Sequence, residues 1–146
     1  MPRKNNFYVK KENILSGRLA YDLLSSKKPV MILATAFSLK GFLNYLKEKK
    51  IALSLKPGSR LMETGGFKGR MKEISKRDLY REVGKKLGIP PGFCVSEYGM
   101  TELSSQYYDT TLHEGNFKTG QKLIKTGPAW LRALVIDPKT GKEAKM

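Results

Sequence analysis

Apolar residues along this chain fall into stretches of two different periods, and their alternation is the first structural information the sequence carries. Ile14, Leu15, Leu19, Leu23 and Leu24 recur at helical spacing, with Asn13 as candidate cap, until Pro29 forbids continuation. Val30-Met31-Ile32-Leu33-Ala34 is instead a short unbroken apolar run, the pattern of a strand covered by helices on both faces. Ser38 then opens a second helix, whose Leu39, Phe42, Leu43 and Leu46 fall at i, i+3, i+4 and i+7 before the lysines that precede Ile51. Pro57-Gly58 marks a turn.

Arg60-Leu61-Met62-Glu63 reads as a second strand, leading into the glycine-rich segment Thr64-Gly65-Gly66-Phe67-Lys68-Gly69-Arg70. A third helix is punctuated at both ends. Ser75 with Asp78 resembles a capping box, Leu79, Val83 and Leu87 form its stripe, and Gly88 before Ile89-Pro90-Pro91 stops it. Phe93-Cys94-Val95 is a third strand that runs into Ser96-Glu97-Tyr98-Gly99-Met100-Thr101-Glu102. Trp130 to Ile136 reads as a further strand, with Trp130 packed in a core or hairpin, and Asp137-Pro138-Lys139-Thr140-Gly141 as its turn. The return strand, from Lys142 to Met146, is short enough to suggest a truncated protein. The expected fold is therefore α/β: one domain segment over 1–146, a mostly parallel sheet flanked by helices, and a C-terminal β-hairpin.

Composition narrows this picture. The 146 residues suffice for one core without disulfide or metal, and no apolar run reaches the length of a membrane span. No secretion signal is visible and the lone Cys94 forms no internal disulfide, which favours a cytoplasmic setting. Cys94 itself lies in a predicted buried strand and reads as core. The net charge of +15 invites a nucleic-acid partner, yet the excess is graded along the chain rather than gathered in a tail. Lys27-Lys28, Lys49-Lys50 and Lys85-Lys86 sit near predicted helix ends, where cations complement the helix dipole and stay solvated.

Ligands of open α/β sheets bind beyond the carboxyl ends of the strands, and two such ends carry unusual residues here. Thr64 to Arg70 has three glycines around a lysine and ends in arginine, which suits an anion such as phosphate, although the spacing is not that of a Walker A loop. Tyr98-Gly99-Met100-Thr101-Glu102 offers an aromatic face, a turn glycine, a hydroxyl for phosphate oxygen and a carboxylate for Mg²⁺. Tyr107, Tyr108 and Asp109 follow closely and frame the same region or simply pack. The sole histidine, His113, excludes a multi-histidine metal site and reads as a loop residue.

Taken together, these two strand ends resemble those of the adenylate-forming superfamily. Val30 to Phe42 looks like the strand and helix lining the acyl side, Thr64-Gly65-Gly66 like the small-residue adenine loop, and Tyr98 to Glu102 like the Y-G-x-T-E motif. Ile136-Asp137-Pro138-Lys139-Thr140-Gly141-Lys142-Glu143 is similar to the family's I-V-D-P-x-T-G-x-E hairpin. The wording from Glu63 to Arg70 and from Ser96 to Gln106 most resembles the acyl-protein synthetases, the long-chain-fatty-acid ligases of bioluminescence fatty-acid reduction.

The resemblance implies an ATP- and Mg²⁺-dependent ligase that converts a fatty acid or other carboxylate to acyl-AMP for transfer to a protein thiol. Tyr98 would stack on adenine, Thr101 contact the α-phosphate and Glu102 hold Mg²⁺, with Thr101 and Glu102 as the catalytic pair. Gly65 and Gly66 would let the nucleotide approach backbone, and Ser96, Glu97 and Gly99 would complete its site. Acyltransferase and reductase proteins would be partners. Ser96 stands where many members carry Asn or Gln against the adenine amino group, so that contact is weaker or comes from elsewhere. The family's Ser/Thr/Gly-rich phosphate loop, ribose-binding aspartate and C-terminal lid domain have no counterpart in these residues. Alternatives are a basic nucleic-acid-binding domain and a non-catalytic remnant.

Overall fold

The computed structural model of the chain describes residues 6–10, 13–66, 74–100, 103, 105–110 and 124–144. A two-stranded hairpin, β1 (Val9–Lys10) and β2 (Asn13–Ile14), leads into α1 (Ser16–Ser25). Asn13 is therefore a strand residue and not a cap. Leu15 holds the cap position without a side-chain bond, and the hairpin is tied to α1 by Tyr8 OH donating to Asp22 Oδ2 at 2.8 Å. Ala20 and Leu23 are the buried residues of α1, whereas Leu24 points to solvent.

Strand β3 (Met31–Thr35), helix α2 (Ala36–Glu48), strand β4 (Arg60–Thr64), helix α3 (Lys76–Leu87) and strand β5 (Cys94–Tyr98) follow as two βαβ units. The three strands pair in parallel in sequence order, with Thr35 opposite Thr64 and Glu63 opposite Ser96. β6 (Tyr107–Asp109) and β7 (Lys125–Thr126) then add antiparallel at the β5 edge, giving a sheet ordered β3-β4-β5-β6-β7. The sheet is thus mixed, with the longer parallel ladders on one side and two short antiparallel strands on the other. The two added strands are too short and polar for an apolar pattern to announce them.

The helices pack as expected from their stripes. Leu39, Phe42, Leu43 and Leu46 of α2 and Leu79, Val83 and Leu87 of α3 are buried together with Leu61 and Cys94. Lys40 Nζ also reaches both carboxylate oxygens of Glu82, at 2.6–2.7 Å, joining α2 to α3. α2 begins one turn earlier than the sequence suggested: Thr35, not Ser38, is its cap, and Thr35 Oγ1 accepts the Ser38 N–H at 3.1 Å. α3 matches its punctuation, with Ser75 accepting from Asp78 N–H and Gly88 closing the helix at φ 72°. The segment before β4 runs along that end of α3, so the amides of Leu53 and Leu55 satisfy the terminal carbonyls of Lys86 and Leu87.

Two expectations are overturned by the packing. The run from Val30 to Ala34 was expected to be covered on both faces, yet Met31 and Leu33 are 61% and 64% exposed. α2 and α3 share one core, so helices cover one face of β3 and leave the alternate residues open. The stretch from Trp130 to Ile136 is no strand: Ile136 makes a single bridge to Glu143, and Trp130 is 79% exposed. The turn between them holds, with Gly141 N–H donating to Asp137 O at 2.8 Å. Among the described residues no helix is long and apolar enough to cross a membrane.

Candidate functional site

Parallel pairing carries β3, β4 and β5 to one end of the sheet, where α2 and α3 both begin. Residues 63 and 96 face the helices because they continue the buried alternation of Leu61 and Cys94. An acidic side chain at position 63 is therefore placed wholly inside, with no exposed surface. Its burial is tolerable only because donors converge on it.

Those donors come from the first turns of α3. Lys76 is the first helical residue, and side chains on a helix tilt toward its N-terminus, so the lysine reaches back to the strand ends. Its Nζ donates to Glu63 Oε1 and to Ser96 Oγ. Tyr80, four residues on and on the same helical face, donates its OH to Glu63 Oε1 at 3.1 Å. Burial, then the neighbouring Glu63 charge, raises the Tyr80 phenol far above its ordinary pKa, so it remains a donor. Glu63 Oε2 is buried with no hydrogen-bond partner among the described residues.

A second ionic group braces the other side of Ser96. Asp109 Oδ2 accepts the Ser96 N–H at 2.8 Å, while Lys125 Nζ donates to Asp109 Oδ1 at 2.8 Å and to Ser96 O at 2.9 Å. Side chains from β6 and β7 thus satisfy a backbone that β6 no longer pairs. Asp109 frames the site in this way, while Tyr107, opposite Tyr98, packs its ring against Gly127.

A cavity of about 180 Å³ opens at this end of the sheet, lined by Glu63, Gly65, Gly66 and Lys76 with the apolar Ala36, Ile74 and Leu79. Gly65 has φ 70°, a conformation that favours glycine, and it turns the chain out of β4. Gly66 has no such need, and a Cβ on either glycine would meet no described atom within 4 Å. Both glycines therefore border space that no described residue fills. A larger cavity, about 360 Å³, lies beside the segments entering β3 and β4, lined by residues such as Leu23, Ser26, Lys27 and Leu55; it holds no acid and lies away from this cluster.

The sequence-derived site residues are distributed unevenly around this cavity. Gly65 and Gly66 line it. Tyr98, 49% exposed, leaves the neighbouring strand end on the same face as Ser96. Ser96 is buried with its hydroxyl already accepting from Lys76. Glu97 alternates to the opposite face, beside Tyr108, and its Oε1 lies 2.6 Å from where a Cβ at Gly99 would stand. Thr101, Glu102, Lys68, Arg70 and His113 lie outside the described residues.

Sequence reasoning missed Glu63, Lys76 and Tyr80 as a group. The available signal was a carboxylate two residues after Leu61, on the same face of a predicted strand as that buried apolar position. Cys94 is buried as expected, and burial followed by the Glu63 charge pushes its thiol up to about 12, so it is no nucleophile at neutral pH. Among the described residues no group of three or more His, Cys, Asp or Glu could hold a metal ion, and the implied Mg²⁺ rests on Glu102. No protein-family model, curated protein or solved structure matches the chain.

Proposed function

We propose that this chain is the nucleotide-binding α/β part of an ATP-dependent acyl-adenylate-forming ligase of the acyl-protein synthetase type. It activates a long-chain fatty acid or similar carboxylate for transfer to a protein thiol, with acyltransferase and reductase proteins as partners. The observation that supports this reading is register. Thr64 pairs with Glu97, so the Gly65-Gly66 bend and the Tyr98-Gly99 tip leave adjacent parallel strands at the same end. A paired-glycine bend and an aromatic residue on neighbouring strand tips suit a flat base lying against backbone and ring.

In the reaction, a carboxylate oxygen attacks the α-phosphorus of ATP, the bond from that phosphorus to the bridging oxygen of the β-phosphate breaks, and pyrophosphate leaves. Tyr98 supplies a stacking face for the base, and the bare backbone at Gly65 and Gly66 admits it closely. Thr101 donates to the α-phosphate and holds it for in-line attack. Glu102 is the residue that would hold Mg²⁺, which offsets the charge of the phosphates when bound.

Calorimetric titration of the chain with ATP, with and without Mg²⁺, tests this. Expected is ATP binding that Mg²⁺ strengthens, that moderate salt changes little, and that Tyr98→Ala weakens roughly fivefold to a hundredfold, the range of one lost base–aromatic stack. Nucleic-acid affinity falling steeply with salt and no ATP binding would replace the reading with a basic nucleic-acid module. Binding of neither would leave a non-catalytic remnant.

A further inference from the structure

We infer that Glu63 is a base-reading residue: its Oε2, buried in the wall of the cavity behind Gly65-Gly66 and without a hydrogen-bond partner among the described residues, accepts the exocyclic amino N–H of an adenine ring. The inference rests on the nucleotide reading above and adds the residue that selects the base.

A carboxylate with no exposed surface normally has both oxygens satisfied, because an unpaired buried acceptor carries its full desolvation cost. Here the two oxygens are treated differently. Oε1 receives Lys76 Nζ and Tyr80 OH, while Oε2 receives nothing among the described residues. Glu63 also lines the 180 Å³ cavity, whose other described lining residues are apolar apart from Lys76 and the glycine backbone. The described wall thus presents an unmet acceptor, Glu63 Oε2, beside the Lys76 ammonium.

Ser96 is the weaker acceptor for an adenine amino group, because its neutral hydroxyl oxygen already accepts from Lys76 whereas Glu63 Oε2 belongs to a carboxylate and accepts from none of the described residues. Glu63 lies opposite Ser96 on the next strand, and its Oε2 has no partner among the described residues. Lys76 has three N–H donors, of which two go to Glu63 and Ser96. A 6-aminopurine sets an N–H group beside a ring nitrogen acceptor, matching an oxygen acceptor beside an ammonium. A 6-oxopurine would turn its carbonyl oxygen toward the carboxylate and be repelled.

Gly66 adds a second, independent line. Neither backbone φ nor packing against a described residue requires glycine there, yet it borders the cavity, where a methyl group would occupy space the ring needs.

The test compares ATP with ITP, its 6-oxo analogue, by titration of the whole chain in the wild type, Glu63→Gln and Gly66→Ala. Wild-type protein should bind ATP at least tenfold more tightly than ITP, as expected for loss of a charge-assisted bond. In Glu63→Gln the amide oxygen keeps facing Lys76 and Tyr80, so the NH₂ group faces the cavity and the preference should disappear or invert. Lys76 is 40% exposed, so its ammonium remains hydrated in that variant, and circular dichroism verifies the fold. Gly66→Ala should fold normally and lose at least fivefold in ATP affinity. Equal wild-type binding of ATP and ITP, unchanged discrimination in folded Glu63→Gln, or full ATP affinity in Gly66→Ala would each overturn the assignment while leaving the nucleotide site itself standing. Absence of binding to either nucleotide would instead overturn the underlying reading.

Discussion

At the scale of single residues, the two members of the buried ion pair are not equivalent. Glu63 has no exposed surface while the Lys76 side chain is 40% exposed, so removing the lysine strands a charge inside and removing the carboxylate charge does not. Lys76→Met should therefore cost about 3 kcal/mol of folding stability, and Glu63→Gln less than about 1 kcal/mol, in urea unfolding of each variant. Equal losses would mean that the carboxylate is reached by water. The residues the sequence offered as a site, Gly65, Gly66, Ser96 to Gly99, Thr101 and Glu102, were singled out because glycines, an aromatic and polar groups stand out at predicted strand ends. Lys76 was not legible: a lysine at the start of a helix looks solvated until the fold brings two strand tips beneath it.

At the scale of elements, local chemistry decided most of what the sequence disclosed. The Ser75 cap and the left-handed Gly88 delimit α3 to the residue, and the four-residue stripe of α2 is buried in full. Ser75→Ala should lower stability by about 1 kcal/mol, read from the urea midpoint, and loosen the position of Lys76, which follows directly. No change would show that the Lys76–Glu63 contact holds the helix start unaided. Where elements depend on partners, sequence reading failed. Asn13 sits in a hairpin, Thr35 displaced Ser38 as cap, and Trp130 to Ile136 forms no strand because nothing among the described residues pairs with it beyond the Ile136–Glu143 bridge.

At the scale of the molecule, burial on one face of the sheet has a measurable consequence in alkali. Cys94 is pushed from 9.0 up to about 12, and Tyr80 is raised as well, first by burial and then by Glu63. The unfolded chain therefore loses these protons at lower pH than the folded chain does. Their contribution to stability is complete below about pH 9 and is lost as pH rises, at about 1.4 kcal/mol per unit for each titrating group. The urea midpoint should fall from pH 9 upward, and Cys94→Ala should flatten the stretch below pH 10, where the unfolded thiol titrates before tyrosine. A flat wild-type profile would show that these groups are not sequestered. The amino-acid sequence by itself determined the helices, their stops, the parallel β3-β4-β5 core and the two unusual strand tips, because caps, periods and glycines act between near neighbours in the chain. Tertiary structure alone decided that one face of β3 stays open, that two short strands extend the sheet, and that Glu63, Lys76, Tyr80 and Ser96 meet. Those outcomes depend on which distant segments compete for the same surface, and no local pattern encodes that competition.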